Sequence, residues 1–356
     1  MDDDRKVTIS ITTGTIIKAV IVLAGAWLLF MLRDVVLDVM VAIVIASAIE
    51  PFIDKMVRRK VPRALAVIGL YLATFSVFFG LFYFFLPSIL EDFATFVAGI
   101  PSYLDAFTRT GAFDAYARII GVPATTLLPV DNIMVAVRHM LDFTSLFGNV
   151  FGAASAFFGG FFSLLLIIVF SFYFAVIGTG VDDFLRVVVP KRQQAYALDL
   201  WRRSQRKIGL WLQGQLLLAL IIGVLVYLGL TILGVRYSLM LAVIAACFEI
   251  IPVFGPTLSA VPAVIIAFVD GGLTLGVLTI GLYVVAQQFE NHLIYPLVVT
   301  RVVGVPPLLV ILALIAGSEL AGFLGVILSV PIAALLQELA HDLKAGRLGG
   351  HAHGGA

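Results

Sequence analysis

Two apolar stretches of this chain are too long to cross a membrane as one straight helix. Leu239 to Val269 and Pro306 to Leu336 each contain 31 residues, and a helix of that length would extend roughly 46 Å at 1.5 Å per residue. The hydrocarbon core of a bilayer is only about 30 Å thick. The sequence therefore predicts that each stretch is either a tilted, kinked span or a re-entrant helical hairpin.

Each long stretch is also interrupted near its middle. In FEIIPVFGPTLSAVP the interruption contains Glu249, Pro252, Gly255 and Pro256, and in the second stretch it is the run GSELAGFLG. Hydrocarbon offers no partner for backbone groups that a proline frees, and a carboxylate at membrane depth usually faces protein or a water-filled cavity. Paired interrupted segments of this kind indicate the binding site of a transporter.

The composition places the chain among polytopic membrane proteins. Hydrophobic residues make up 61% of it and charged residues 13%, and its one cysteine excludes an internal disulfide and a cysteine-built metal site. The predicted fold class is an all-α polytopic membrane protein. It has about eight hydrophobic segments, two of them interrupted or re-entrant, and a helical insertion outside the membrane.

Changes of composition divide the chain into six regions. The second span, Val35 to Ile49, is predicted to end at Glu50 and Pro51, before a basic loop. The six regions are three spans over 1–86, an extracytoplasmic amphipathic helical region over 87–147, a fourth span over 148–178, a cytoplasmic basic amphipathic helix over 179–213, a transport core over 214–340 and a flexible tail over 341–356.

The distribution of lysine and arginine predicts the orientation. With a cytoplasmic N-terminus and eight crossings, 17 of the 23 basic residues lie inside, as the positive-inside rule requires. We therefore expect a multi-pass protein of the bacterial inner membrane with both termini in the cytoplasm. Turning both long stretches into hairpins moves only Arg301 across the membrane, so this rule does not separate the two models.

Three acidic residues lie at or near breaks in three different apolar segments. Glu249 precedes the first proline break, Glu290 and Asn291 lie in the run QQFENHLIYP, and Glu319 lies in the glycine-rich break. If they converge, they form a proton- or cation-binding site, with freed backbone carbonyls as further ligands. The alternatives are that Glu290 is solvated at an interface and that Glu319 lies in water at a hairpin turn.

Enzyme motifs are missing from the sequence. It contains no H-E-x-x-H, no G-x-S-x-G and no phosphate-binding G-x-x-x-x-G-K-[ST]. We therefore expect no enzymatic activity, no cofactor, no metal site and no direct use of ATP. The modest basic charge lies beside the membrane, so nucleic acid is not an expected partner.

Three segments of the last hundred residues carry a family resemblance: IIPVFGPTLSAVPAVIIAF, FENHLIYPLVV and LLVILALIAGSELAGFLGVILSVPIAALLQEL. They resemble the AI-2E (autoinducer-2 exporter-like, or PerM) transporters of bacteria. The most specific parts are the I-P-x-x-G-P break and the spacing of Gly322, Gly325 and Pro331. The resemblance covers nearly the whole chain. It implies a secondary transporter, and family members are described as exporters of autoinducer-2 or as Na⁺/H⁺ antiporters.

These patterns lead to one functional hypothesis and three alternatives. The hypothesis is a homo-oligomeric secondary transporter that exports a small hydrophilic solute, such as autoinducer-2, or a cation. H⁺ or Na⁺ would be the coupling ion, bound through Glu249 and Glu290. The alternatives are a Na⁺/H⁺ antiporter proper, a passive channel, and a membrane scaffold that transports nothing.

Overall fold

A computed structural model describes residues 13–109, 150–252, 254–294 and 305–345. Within these ranges the chain forms nine α-helices and no strand. A 3₁₀ turn, Lys191–Gln193, precedes α6, and a π-helix, Glu290–Ile294, follows α8. The α-helices are α1 (Thr13–Met31), α2 (Arg33–Arg58), α3 (Arg63–Arg109), α4 (Val150–Ile177), α5 (Gly180–Val188), α6 (Gln194–Leu233), α7 (Ser238–Phe248), α8 (Gly255–Phe289) and α9 (Pro307–Lys344).

Six helices of the described chain are long and apolar enough to cross a membrane, and they lie in α2, α3, α4, α6, α8 and α9. The helix α7 is apolar but shorter. Large side chains stand exposed on these helices, including Phe79, Phe84 and Ile232, as expected for surfaces that face lipid. The all-α polytopic fold is therefore confirmed, whereas the number of eight segments is not.

Helix α2 does not end at Glu50 and Pro51, where the second span is predicted to end, but continues through both residues to Arg58. A proline inside a helix removes the hydrogen bond to the carbonyl four residues earlier, here that of Ser47. Helix α6 covers this carbonyl: a Cβ added to Gly209 would lie 2.2 Å from the Ser47 oxygen. Close packing by a neighbouring helix thus lets α2 continue past its proline.

Two other helices pass through predicted regional boundaries. Helix α3 continues beyond Leu86 to Arg109, so its last part belongs to the sequence of the predicted outer region. Helix α6 joins the basic stretch to the apolar stretch without a break at position 213. The rest of the predicted outer region, from residue 110 to 147, lies outside the described residues, as does the tail from residue 346.

The first long stretch folds back on itself, and we call α7 together with residues 255–271 of α8 hairpin 1. Leu241 of α7 and Ile266 of α8 lie in one buried cluster, although a straight helix would place them about 38 Å apart. Near the two ends of the hairpin, the side chains of Arg236 and Asp270 approach to 3.9 Å. The 11 residues of α7 span only about 16 Å, roughly half of a bilayer core.

The chain reverses direction a second time at Gly272, within α8. This glycine has φ 66° and ψ −161°, a conformation that glycine adopts readily and other residues rarely do. Beyond it, a Cβ added to Gly276 would lie 2.5 Å from the ring of Phe268. Residues 273–289 therefore run back alongside hairpin 1, and Glu290 directly follows them.

The second long stretch is also a hairpin, and we call α9 hairpin 2. Its reversal is at Gly322, with φ 55° and ψ −135°. A Cβ added to Gly325 would lie 1.9 Å from the carbonyl oxygen of Gly317, whereas these residues would be about 12 Å apart in a straight helix. The predicted glycine-rich break is thus confirmed as the turn of a tight helical hairpin.

Helix α6 packs against both hairpins. Its first half contributes Ile208, Trp211 and Leu212 to a buried cluster that contains Leu314 and Leu328 of hairpin 2. Its second half, from Leu218 onwards, packs in the cluster that contains hairpin 1. Between the two clusters lies Gln215, a buried polar residue.

Ion pairs gather several helix ends at one end of the molecule. The guanidinium of Arg63 donates two hydrogen bonds to Glu50, at 2.7 and 2.8 Å, and one of 2.9 Å to the carbonyl of Ala175 at the end of α4. Arg203 pairs with Glu338 and Asp342 of α9 at 2.8 and 2.6 Å. This end of the molecule holds most of the basic residues of the described chain, and we call it the basic end.

Candidate functional site

Glu249 occupies the turn of hairpin 1. It caps α7, with its backbone N–H donating to the carbonyl of Ala245, and its side chain is only 2% exposed. Its Oε2 atom has no hydrogen-bond partner among the described residues. A buried carboxylate oxygen without a hydrogen bond is energetically costly, because it has lost its contacts with water.

Glu290 lies against Glu249. It follows the last residue of α8 and begins the π-helix, is 6% exposed, and its carboxyl group contacts that of Glu249. The side-chain amide of Gln287 donates to Glu290 Oε2 at 3.2 Å. We call Glu249 and Glu290 the acid pair. A short π-helical segment inside a helical run is frequently found at a functional site.

No basic residue neutralises the acid pair within the described chain. None of its ion pairs includes Glu249 or Glu290. Two carboxylates in contact and removed from water repel each other strongly when both are ionised. A proton or a small cation between them would remove this repulsion, so the arrangement can bind either one.

Gln215 fixes the turn that carries Glu249. Its side-chain amide donates a hydrogen bond to the backbone carbonyl of Glu249, and Gln215 is itself 3% exposed. The site is therefore assembled from three elements: the middle of α6, the turn of hairpin 1 and the end of α8. Because Gln215 lies between the two clusters of α6, the site lies next to the helix that packs against both hairpins.

The broken-helix residues of hairpin 1 shape the turn. A Cβ at Gly255 would lie 2.1 Å from the carbonyl oxygen of Phe248, so only glycine fits there. Pro256 lies in the first turn of α8, where its missing N–H costs nothing. Pro252 is half-buried in the turn itself. These residues allow the chain to reverse while keeping Glu249 inside.

The other predicted site residues are placed differently. Asn291 is exposed and accepts a hydrogen bond of 3.5 Å from Gln287, which makes it a neighbour of the acid pair. Glu319 is exposed beside the turn of hairpin 2 and takes no part in the contact between Glu249 and Glu290. Gly322 and Gly325 form the turn of hairpin 2, and Pro331 is buried inside its second helix.

Gln215 is the residue that sequence reasoning missed. It lies in the run GLWLQGQLLLAL, just inside the predicted transport core of residues 214–340. The continuity of α6 places it in the middle of a helix instead. The available signal was a pair of glutamines directly before a long apolar run, which favours buried hydrogen bonds to other helices.

Comparison with known proteins extends the resemblance beyond the breaks. Residues 16–345 match the model of the AI-2E family transporters. YueF of Bacillus subtilis (strain 168), provisionally named a transport protein, is 27% identical over 295 residues, covering 80% of this chain and 77% of its own. YrrI of the same organism, also provisionally named a transport protein, is 36% identical over 147 residues, covering 41% and 40%.

PerM of Escherichia coli (strain K12), provisionally named a permease, is 24% identical over 264 residues, covering 74% of this chain and 70% of its own. The family model covers both hairpins, the helix α6 between the basic end and hairpin 1, and the acid pair. From this match over most of its length, we conclude that the chain belongs to the AI-2E family of transporters.

Proposed function

We propose that this protein is a secondary transporter that exports a small hydrophilic solute, such as autoinducer-2, or a cation, in exchange for H⁺ or Na⁺. The observation that carries the proposal is the acid pair: Glu249 and Glu290 are buried in contact. A site of this kind binds a coupling ion because the ion relieves the repulsion between the two carboxylates.

The hairpins support the same proposal. Secondary transporters commonly place their substrate and ion sites where discontinuous helices meet near the middle of the membrane. Here Glu249 lies at the turn of hairpin 1, about half a bilayer from the start of α7, and Gln215 connects it to the helix that also supports hairpin 2. Movement of one hairpin against α6 would open or close the access to the acid pair.

The orientation and assembly belong to the proposal as well. The basic end gathers the ends of α2, α4 and α9 with the start of α6, and a concentration of basic residues favours the cytoplasmic side. We propose cytoplasmic termini, an inner-membrane location and a homo-oligomer, in which some of the exposed apolar surface faces further copies of the chain.

Flux in proteoliposomes tests the coupling. Purified protein is reconstituted and assayed with autoinducer-2 and with simple cations, under imposed H⁺ or Na⁺ gradients of either direction. We expect uptake or release to follow one of the two gradients, and we expect Glu249→Gln and Glu290→Gln to abolish this dependence while reconstitution stays normal. Glu319→Gln, the same change at an exposed acid, is the matched control.

The outcomes separate the proposal from its alternatives. Flux that ignores every imposed ion gradient would indicate a passive channel, and cation exchange without movement of any solute would indicate a Na⁺/H⁺ antiporter proper. Gradient-dependent flux that persists in both acid-pair variants would remove Glu249 and Glu290 from the mechanism. A complete lack of flux, with a cellular phenotype that depends only on residues 87–147, would favour a scaffold.

A further inference from the structure

The basic end contains a cleft of about 550 Å³ between α2 and α6. Residues four apart on a helix share a face, and both walls follow this spacing. The wall from α2 consists of Ser47, Glu50, Pro51, Asp54, Lys55 and Arg58, and the wall from α6 consists of Arg202, Gln205, Arg206 and Leu210. We call this the basic cleft. Its volume lies within the range of small-molecule sites.

The charges of the basic cleft do not balance. Glu50 is engaged by Arg63, and Arg202 by Asp182 at 2.8 Å. Lys55, Arg58 and Arg206 take part in none of the ion pairs of the described chain, and the carboxylate of Asp54 is equally without an ion pair there. The cleft lining thus holds three cations and one anion outside these ion pairs, which leaves an excess of positive charge.

Apolar surface adjoins these cations. Pro51 and Leu210 form part of the cleft wall, and Pro51 is exposed. A cationic cleft at the end of a membrane-spanning helix, with apolar residues in its wall, suits a ligand with an anionic head and an apolar body. Basic pockets between transmembrane helices bind lipid head groups in this way.

We propose that the basic cleft binds a phosphate group, held by Lys55, Arg58 and Arg206. Guanidinium groups match phosphate because they donate two parallel hydrogen bonds to it, while lysine adds a compact charge. The phosphate can come from the headgroup of an anionic phospholipid or from a free phosphate anion. The apolar residues Pro51 and Leu210 in the cleft wall favour the phospholipid.

The basic cleft is independent of the transport site. It shares no lining residue with the contact between Glu249 and Glu290. It does use the same two helices that surround the carbonyl of Ser47, where α6 packs closely on α2. A bound phosphate would therefore hold the ends of α2 and α6 together by bridging cations from both.

Binding to the purified full-length chain in a neutral detergent tests this inference. The probes are short-chain phosphatidylglycerol, short-chain phosphatidylcholine and inorganic phosphate. We expect phosphatidylglycerol to bind more tightly than phosphatidylcholine, and the triple variant Lys55→Gln/Arg58→Gln/Arg206→Gln to bind it about 10- to 100-fold more weakly. Competition by millimolar inorganic phosphate would identify free phosphate as a source, and its failure would identify the headgroup.

Two controls keep the result specific. The variant Arg59→Gln/Lys191→Gln/Arg192→Gln removes the same charge from exposed positions outside the cleft, and it should bind as the unchanged protein does. The charge-retaining variant Lys55→Arg/Arg58→Lys/Arg206→Lys should keep most of the binding. Equal weakening in the outside variant, or undiminished binding in the cleft variant, would overturn the proposal.

A measurement on the unchanged protein covers the case in which the neutralised variant does not fold. Photoactivatable phosphatidylglycerol should label peptides from both walls of the cleft, residues 47–58 and 202–210, and added unlabelled phosphatidylglycerol should reduce this labelling. Labelling confined to other helices would exclude the cleft as the binding site.

Discussion

The side-chain amide of Gln215 donates a hydrogen bond to the backbone carbonyl of Glu249, in a region where both residues are almost fully buried. Glu249 lies at the turn of hairpin 1, and Gln215 lies between the two clusters of α6 that support the hairpins. This bond connects the central helix to the turn that presents the acid pair. The position of Glu249 therefore depends on a residue of another helix.

Replacement of Gln215 by alanine should reduce both stability and coupling. The substitution leaves the buried carbonyl of Glu249 without its donor, which costs about 1–3 kcal/mol, and it frees the turn to move. We expect a lower thermal midpoint of the purified protein and weaker dependence of flux on the ion gradient. Both are measured on the same preparation, by a thermal unfolding assay in detergent and by proteoliposome flux.

Gln213 provides the matched control for Gln215. Its side-chain amide also donates to a backbone carbonyl of another helix, that of Ala48 in α2, but this bond lies away from the acid pair. Gln213→Ala should lower the thermal midpoint by a comparable amount and leave the coupling ratio unchanged. An equal loss of coupling in both variants would mean that general instability, and not the turn, determines transport.

Neutralising the acid pair should stabilise the protein while it abolishes coupling. In Glu249→Gln the like-charge contact with Glu290 is replaced by an amide that can donate to the remaining carboxylate, so the repulsion is lost. Residues at functional sites commonly lower the stability of the folded protein. We expect a higher thermal midpoint for the single variant at alkaline pH and without Na⁺, where neither coupling ion occupies the pair.

The change of the thermal midpoint with the concentration of the coupling ion tests whether lost repulsion causes that stabilisation. In the unchanged protein, the ion that binds the acid pair should raise the thermal midpoint as its concentration rises, because it binds only the folded state. The same ion should have little effect on Glu249→Gln. A variant that is less stable than the unchanged protein, and that still responds to the ion, would contradict the proposed repulsion.

The sequence predicted the helix breaks that follow from local rules of backbone geometry. It did not predict the features that depend on packing between distant helices. The breaks at Pro252 and Gly322 were predictable because backbone groups in lipid must be satisfied, and length alone required the stretches to bend. The continuation of α2 through Pro51 was not, because it depends on Gly209 packing on a distant carbonyl. Tertiary packing of that kind leaves no mark in the local pattern.

The candidate site was likewise predictable only in part. Glu249 and Glu290 were recognisable as ionisable groups in apolar segments, which is a general indication of function. Their contact, and the exposure of Glu319, follow from how hairpin 1 and α8 fold back on each other. No pattern in a single sequence reports which of three separated acids meet, because the pairing is set by the reversals at the glycines and not by spacing.

The turn of hairpin 2 should require glycine for two different reasons. Gly322 has space around it but a positive φ, so alanine would cost about 1–3 kcal/mol through backbone strain. At Gly325 the backbone meets the carbonyl of Gly317, so alanine would force the two helices apart. We expect both substitutions to lower the thermal midpoint, with Gly325→Ala the more severe.

Gly281 is the control for these substitutions. It lies in α8 with no atom near the position of a Cβ and without a positive φ, so alanine should be neutral or stabilising by up to about 1 kcal/mol. Thermal unfolding of the three purified variants gives the comparison. A destabilisation at Gly281 as large as that at Gly325 would show that the close approach of the helices is not the cause.

The ion pair of Arg63 and Glu50 at the basic end should contribute more to stability than an exposed surface ion pair. Both side chains are about a quarter exposed, and Arg63 also donates to the carbonyl of Ala175. Arg63→Ala would leave a half-buried carboxylate without its partner and uncap α4, and we expect a loss of about 2–3 kcal/mol, lower than for a fully buried pair because water screens part of it. Glu50→Gln should cost less, because Arg63 keeps its bonds to α4.

The cycle of Arg63→Ala, Glu50→Gln and the double variant, followed by thermal unfolding, isolates the coupling between the two side chains. The exposed pair of Arg33 and Asp34, at 3.6 Å, serves as the reference and should contribute less than about 1 kcal/mol, since both side chains are solvated. If the two cycles gave the same coupling energy, Arg63 would stabilise the ends of α2 and α4 through its backbone hydrogen bond alone, and the contribution of Glu50 would be no larger than that of a surface ion pair.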